Sequence, residues 1–285
     1  MGSKDNKSRP EAAVKPGKVN ARQPRRKAAA KLLPIIKNDP WLEPYADAIN
    51  GRHEDAVRKL KELGGNLIDF ANAHHYFGLH HNADGTWTFR EWAPNATAIT
   101  LIGDFSCWQE EAMYALRRGD NGVWVVNLPD EAIRHGDLYK MMVRWDGGEG
   151  QRIPAYATRV VQDSDTAIFS AQVWEPAETY QWSCGNFVPD TKPLLIYECH
   201  IGMAQNREGV GTYSEFREKV LPRIAADGYN AIQIMAIQEH PYYGSFGYHV
   251  SSFFAASSRF GAPEELKALI DAAHAEGIAV IMDIV

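Results

Sequence analysis

The tightest constraint on this chain is a series of apolar runs separated by helical stretches in its last hundred residues. "PLLIYECHIG", "NAIQIMAIQEH" and "IAVIMDIV" alternate with "TYSEFREKVLPRIAADG" and "APEELKALIDAAHAEG". The apolar runs lack the polar alternation of a half-exposed strand, which is the pattern of strands covered on both faces in a parallel sheet. Between them, Thr212 and Glu215 have capping-box spacing, Phe216, Val220 and Ile224 share one helix face, and Gly228 supplies a stop. Pro263 sits in the first turn of the next predicted helix and Gly277 at its end. Strand, helix, strand, helix, strand predicts a parallel α/β sheet, doubly wound or barrel. Three strands complete neither form. Residues 278–285 read as the most deeply buried strand of all, so the chain is expected to be cut from something longer.

Upstream the hydrophobic period changes to two. In "TWTFREW", Trp87 and Phe89 alternate with polar neighbours; "AITLIGDF", "GVWVVNLP" and "DLYKMMVRW" follow, with turn signals at Asn121-Gly122 and Asp146-Gly147-Gly148. This predicts an antiparallel, immunoglobulin-like β-sandwich over 84–175, in whose core Trp87 and Trp124 belong. Residues 176–285 are then linker and α/β segment. Between 32 and 83 a short helical segment is expected, with Asp39-Pro40 as a helix start, Ala56, Val57, Leu60 and Leu63 at helical spacing, and Gly64-Gly65 as the stop.

Charge is uneven. Residues 1–31 hold ten Lys and Arg against Asp5 and Glu11, a net +8, leaving −14 on the rest of a chain whose total is −6. The basic head has no apolar face and no aromatic to stack a base, so it reads as a solvated, disordered tail rather than a nucleic-acid binder. The acidic remainder argues against a polyanionic substrate. No run of about 18 apolar residues and no signal segment appears, so a cytosolic protein without membrane contact is expected. Cys107, Cys184 and Cys199 lack metal-type spacing, and "HHYFGLHH" brings His74, His75, His80 and His81 together without the carboxylate or thiol that would complete a metal site.

The stretch "IQEHPYYGSFGYHVSSFFAASSRFG" is too long and too aromatic for a mere connection. It follows a predicted parallel strand, where barrel enzymes place their sites. Ring faces suit pyranose C–H groups. With "YECHIGM" and "GAPEELKALIDAAHAEGIAVIMDIV" around it, this stretch resembles the 1,4-α-glucan branching enzymes of glycoside hydrolase family 13. "REWAPNATAITLIGDFSCW" and "GDLYK" resemble carbohydrate-binding module family 48, which precedes the barrel in those enzymes. The resemblance covers about residues 32–285.

It implies a multidomain chain: helical segment, β-sandwich, then the first three β/α units of an incomplete TIM (β/α)8 barrel. The implied reaction is a retaining transfer that cleaves an α-1,4 link and forms an α-1,6 branch in glycogen or starch, with no cofactor and no metal. The nucleophile and acid/base are expected beyond Val285, leaving a chain that binds α-glucan (glycogen, starch or maltooligosaccharides) without catalysis. Tyr248 is implied as the ring beneath the sugar, with His249 beside it and Asp283 supporting the active site. In the sandwich, Trp108 and Lys140 match glucan-contacting positions, with Trp92, Pro94, Asp120, Asn121 and Gly122 in the same groove region. "FSC" departs from the family's Asn-rich turns there. Glu198, Glu239, His200 and His240 read as polar residues bonded within the barrel mouth. The alternatives are a debranching or trehalose-forming relative, which the loop fits less well, and a non-catalytic glucan-binding protein.

Overall fold

The computed structural model describes residues 32–65, 67–190 and 193–285; the basic head lies outside them. Among the described residues, those up to Ala71 and those from Asn72 onward form two compact units. The first holds α1 (Pro34–Asn38), α2 (Ala46–Glu62) and the short α3 (Leu67–Phe70). α2 stops where Gly64 and Gly65 both take positive φ (112° and 134°), a conformation that side chains disfavour.

In the second unit the period-two segments form two antiparallel sheets. One contains β1 (Gly78–His81), β2 (Trp87–Trp92), β4 (Arg117–Arg118) and β5 (Val123–Leu128), in the order β1-β2-β5-β4. The other is built on β3 (Ala96–Gly103) and β6 (Leu138–Trp145), extended by β7 (Gly148–Arg152), β8 (Val160–Gln162) and β9 (Phe169–Gln172). Trp87, Phe89 and Trp124 from the first sheet pack with Ile99, Leu101, Tyr139 and Met141 from the second in one buried core. The helical segment expected to run to residue 83 gives way earlier, because Gly78–His81 pairs antiparallel with Trp87–Arg90 across a tight turn that closes at Gly85. That four-residue strand is too short to announce itself by alternation.

The α/β segment holds β10 (Ile196–Cys199), α4 (Tyr213–Glu215), α5 (Leu221–Ala226), β11 (Ala231–Ile234), the hairpin of β12 (Gln238–Glu239) with β13 (Ser252–Ala256), α6 (Pro263–Ala275) and β14 (Ala279–Met282). β10, β11 and β14 are parallel neighbours in that order. The capping box at Thr212 and Glu215 forms in both directions. A π-turn over Phe216–Val220 joins α4 to α5, placed just before Pro222, which has no N–H to continue a regular ladder. α6 is anchored from outside: Asp271 accepts hydrogen bonds from the backbone N–H groups of Ser183 and Cys184 at 2.8 Å each.

One expectation is corrected. β14 is not the most buried strand: Ile278 is 1% exposed, but Met282 is 43% and Ile284 66% exposed. Among the described residues β14 pairs on one side only, with β11, so one edge and part of one face carry no neighbour.

Candidate functional site

The C-terminal ends of β10, β11 and β14 gather the polar residues that the sequence singles out. Tyr248 lies half-buried in the loop after β11, and its hydroxyl donates to Asp283 Oδ2 at 2.8 Å, just past β14. Asp283 in turn donates its backbone N–H to Ile234 of β11. The loop is pressed onto the sheet at Gly247, whose φ is +90° and where a Cβ would fall 1.7 Å from the Ala236 carbonyl oxygen, so no other residue fits. The carboxylate beside it raises the Tyr248 phenol's pKa, because the phenolate would lose its donated hydrogen bond and meet a like charge. His249 is exposed beside this pair.

Both stems of the loop are tied by groups the sequence reading leaves among the bonded polar residues. Glu239 is fully buried. Its Oε1 accepts from the His240 amide and Ser257 Oγ, and its Oε2 from the amide and hydroxyl of Ser258 at 2.7 and 2.9 Å. Arg259 donates to the carbonyls of His240 and Pro241 at 2.6 and 2.9 Å. Arg259 is the residue that sequence reasoning missed; an Arg just past an apolar strand gives no signal of its partners. Glu198 is exposed at the end of β10. His200 is 8% exposed with neither ring nitrogen partnered, and burial, followed by the nearby His240, lowers its pKa. Glu239 is thus saturated by donors, and Asp283 is bonded to Tyr248.

In the sandwich the predicted residues fall into two groups. Trp92 is 58% exposed at the end of β2, and its indole N–H donates to the Asn121 carbonyl at 2.9 Å. Asp120, Asn121 and Gly122 form the turn before β5, with positive φ at Asn121 (54°) and Gly122 (79°). That turn rests on Pro94, which a Cβ at Gly122 would approach to 2.7 Å. Trp108 lies beyond the other end of β3, its amide bonded to the Gly103 carbonyl. Lys140, paired with Ile102, places Nζ 5.9 Å from the Trp108 ring centroid. Lys140 is 9% exposed and burial lowers its pKa; among the described residues its ammonium has no hydrogen-bond or ion-pair partner. The eight residues of β3 separate the two groups by about 24 Å at roughly 3.4 Å per residue, so they are two surfaces rather than the single groove expected. A cavity of about 430 Å3, lined in part by Phe105, Met113, Glu131 and Arg134, holds none of the predicted site residues. Among the described residues no group of three or more His, Cys, Asp or Glu is placed to hold a metal. No helix among them is long and apolar enough to cross a membrane.

Two parts of the chain match family models. Residues 76–157 match carbohydrate-binding module 48 (isoamylase N-terminal domain), and residues 203–285 match the alpha amylase catalytic domain. The sandwich is thus similar to a carbohydrate-binding module 48, and the α/β segment to part of an alpha amylase catalytic domain. Solved structures agree on the fold: a putative alpha amylase from Salmonella typhimurium gives a TM-score of 0.60 at 22% identity over 73% of this chain and 32% of that one. The pullulanase SAP solved with maltotetraose gives 0.57 at 21% identity, over 73% and 33%.

More particularly, the chain is a relative of the 1,4-alpha-glucan-branching enzymes. It is 41% identical to that of Dictyostelium discoideum over 260 residues, which is 88% of this chain and 38% of the relative. It is 42% identical to that of Yarrowia lipolytica over 268 residues, 89% and 38% respectively. The chain therefore spans little more than a third of the length of these relatives.

Proposed function

We propose that the protein to which this chain belongs is a glucan branching enzyme of the cytosol, acting on glycogen or starch without a cofactor. The chain supplies its carbohydrate-binding module and the first three β/α units of a (β/α)8 barrel, after a helical segment. The observation that carries this reading is the 41% identity to a branching enzyme running through 88% of the chain, across both the sandwich and the loop that presents Tyr248. In the reaction, one carboxylate attacks the anomeric carbon of an α-1,4 link while a protonated carboxyl serves the leaving oxygen; a glucan 6-hydroxyl then resolves the covalent intermediate. Here Tyr248 stacks beneath the sugar next to the scissile bond, His249 flanks it, and Asp283 fixes the tyrosine hydroxyl. None of the carboxylates in this chain is assigned as nucleophile or acid. Trp108 with Lys140, and Trp92 with Pro94 and the Asp120–Gly122 turn, hold the polymer away from the reacting bond.

Two measurements on the 285-residue chain test this. Its migration in native gels is expected to be retarded by glycogen, and amylose incubated with it is expected to keep its chain-length distribution. Absence of retardation overturns the glucan reading; formation of α-1,6 branches overturns the assignment of the carboxylates.

A further inference from the structure

We infer that Asp104 is the positioning residue of the Trp108 surface, holding the indole ring in place over Lys140 for an α-glucan; this rests on the reading of Trp108 and Lys140 as glucan-binding. Trp108 sits on an unusual backbone. Cys107 and Trp108 both adopt left-handed φ values, 49° and 61°, consecutively and without a glycine. Such residues persist where the surroundings over-determine them, and they gather at ligand-binding sites. The turn that leads into them is fixed by Ser106, whose Oγ accepts from the Gly103 amide at 3.2 Å, and by Gly103 itself, where a Cβ would fall 2.3 Å from the Leu138 carbonyl oxygen.

Those contacts set the main chain but leave the indole free to turn about its side-chain bonds. Asp104 removes that freedom. Its Oδ1 accepts from Trp108 Nε1 at 3.0 Å, and its Oδ2 accepts from the backbone N–H of Leu138 at 2.8 Å. Leu138 opens β6, the strand that carries Lys140 two residues later. One carboxylate thus ties the ring to the strand bearing the ammonium. Both partners are donors, so the position requires acceptors at both ends. A carboxylate offers them, whereas an asparagine must turn its amide nitrogen towards one of the two N–H groups. A ring held before the ligand arrives spares the ordering cost that a mobile ring incurs on binding.

The test compares Asp104→Ala, Asp104→Asn and Trp108→Ala in the 285-residue chain, using maltoheptaose titration calorimetry and 19F NMR of protein labelled with 5-fluorotryptophan. The chain has eight tryptophans, and the Trp108 line is the one missing from the Trp108→Ala spectrum. Asp104→Ala is expected to weaken maltoheptaose binding about tenfold, and Asp104→Asn by a smaller factor. Both are expected to shift or broaden the Trp108 line and leave the other seven lines in place. Should Asp104→Ala fail to fold, the near-isosteric Asp104→Asn and its fluorine line decide. If Trp108→Ala loses binding while Asp104→Asn keeps both the affinity and the Trp108 line, the inference falls and the glucan site stands. If Trp108→Ala leaves maltoheptaose affinity unchanged, the glucan site falls and takes the inference with it.

Discussion

Tyr248 Oη donates to Asp283 Oδ2 at 2.8 Å, joining the loop after the second parallel strand to the end of the third. Two residues 35 positions apart thereby orient one aromatic ring at the edge where parallel-sheet enzymes place substrates. The bond makes the ring and the hydroxyl separable by mutation. Tyr248→Phe keeps the ring and is expected to keep maltoheptaose affinity within about threefold, whereas Tyr248→Ala, which removes the stacking face, is expected to cost about tenfold or more. Equal losses in the two variants would refute a stacking role. The same bond raises the phenol's pKa, so the Tyr248 contribution to the 295 nm titration, obtained by subtracting the Tyr248→Phe curve, should move to lower pH in Asp283→Asn.

The length of β3 between Trp92 and Trp108 predicts independence. Sites this far apart with no shared partner respond separately to mutation. For maltotriose, too short to span the sandwich, Trp92→Ala and Trp108→Ala are each expected to remove one binding site in titration calorimetry and to leave the other site's affinity unchanged. For glycogen, which reaches both, either single variant should already lose the gain from bridging, and the double variant the remaining binding by the sandwich. Loss of both maltotriose sites in one single variant would mean that the two surfaces form one groove.

Glu239 is fully buried and satisfies two hydroxyls and two amides. Stranding buried donors costs about 1–3 kcal/mol each, and relaxation and water entry recover part of it. Glu239→Ala is accordingly expected to destabilise the chain by about 3 kcal/mol in urea titration, with faster amide exchange across 240–258. Exchange confined to other regions would show that the carboxylate does not anchor this loop.

His200 makes stability sensitive to mild acid. Burial and the neighbouring His240 lower its folded pKa below the ordinary histidine value of 6.5. As pH falls through 6.5 the unfolded chain takes up a proton that the folded chain still refuses. Stability conferred at neutral pH is then progressively lost, until the lowered folded pKa is reached. The thermal midpoint is expected to drop between pH 7 and pH 5 more steeply in the parent chain than in His200→Gln. Parallel curves would show that His200 titrates normally.

Asp271 acts at lower pH. Its carboxylate, held by the Ser183 and Cys184 amides, titrates at about 2 rather than 3.8. Its contribution is therefore full above 3.8 and is lost as pH falls from there through about 2. Asp271→Asn is expected to lower stability at neutral pH and to flatten the acid limb of the curve; an unchanged limb would contradict the role.

The capping box at Thr212, the stop at Gly228 and the Asn121-Gly122 turn are local rules, enforced by backbone sterics and hydrogen bonds within a few residues, and they were legible without any neighbour. The inward places of Trp87 and Trp124 followed from alternation, since a period of two assigns one face to the core. β1 was not legible, because four residues hold too little alternation, and its pairing with β2 depends on a turn.

What the sequence determined by itself was the order of helical, period-two and α/β segments and the side chains proposed to meet a sugar, because periodicity and motif are properties of the chain read along its length. What only the tertiary structure decided was which of those side chains meet. It joined Tyr248 to Asp283, set Asp104 against Trp108, parted Trp92 from Trp108 by a strand's length, and left β14 at an edge. Contacts between distant residues depend on register and packing across strands, and no local pattern encodes a distance through space.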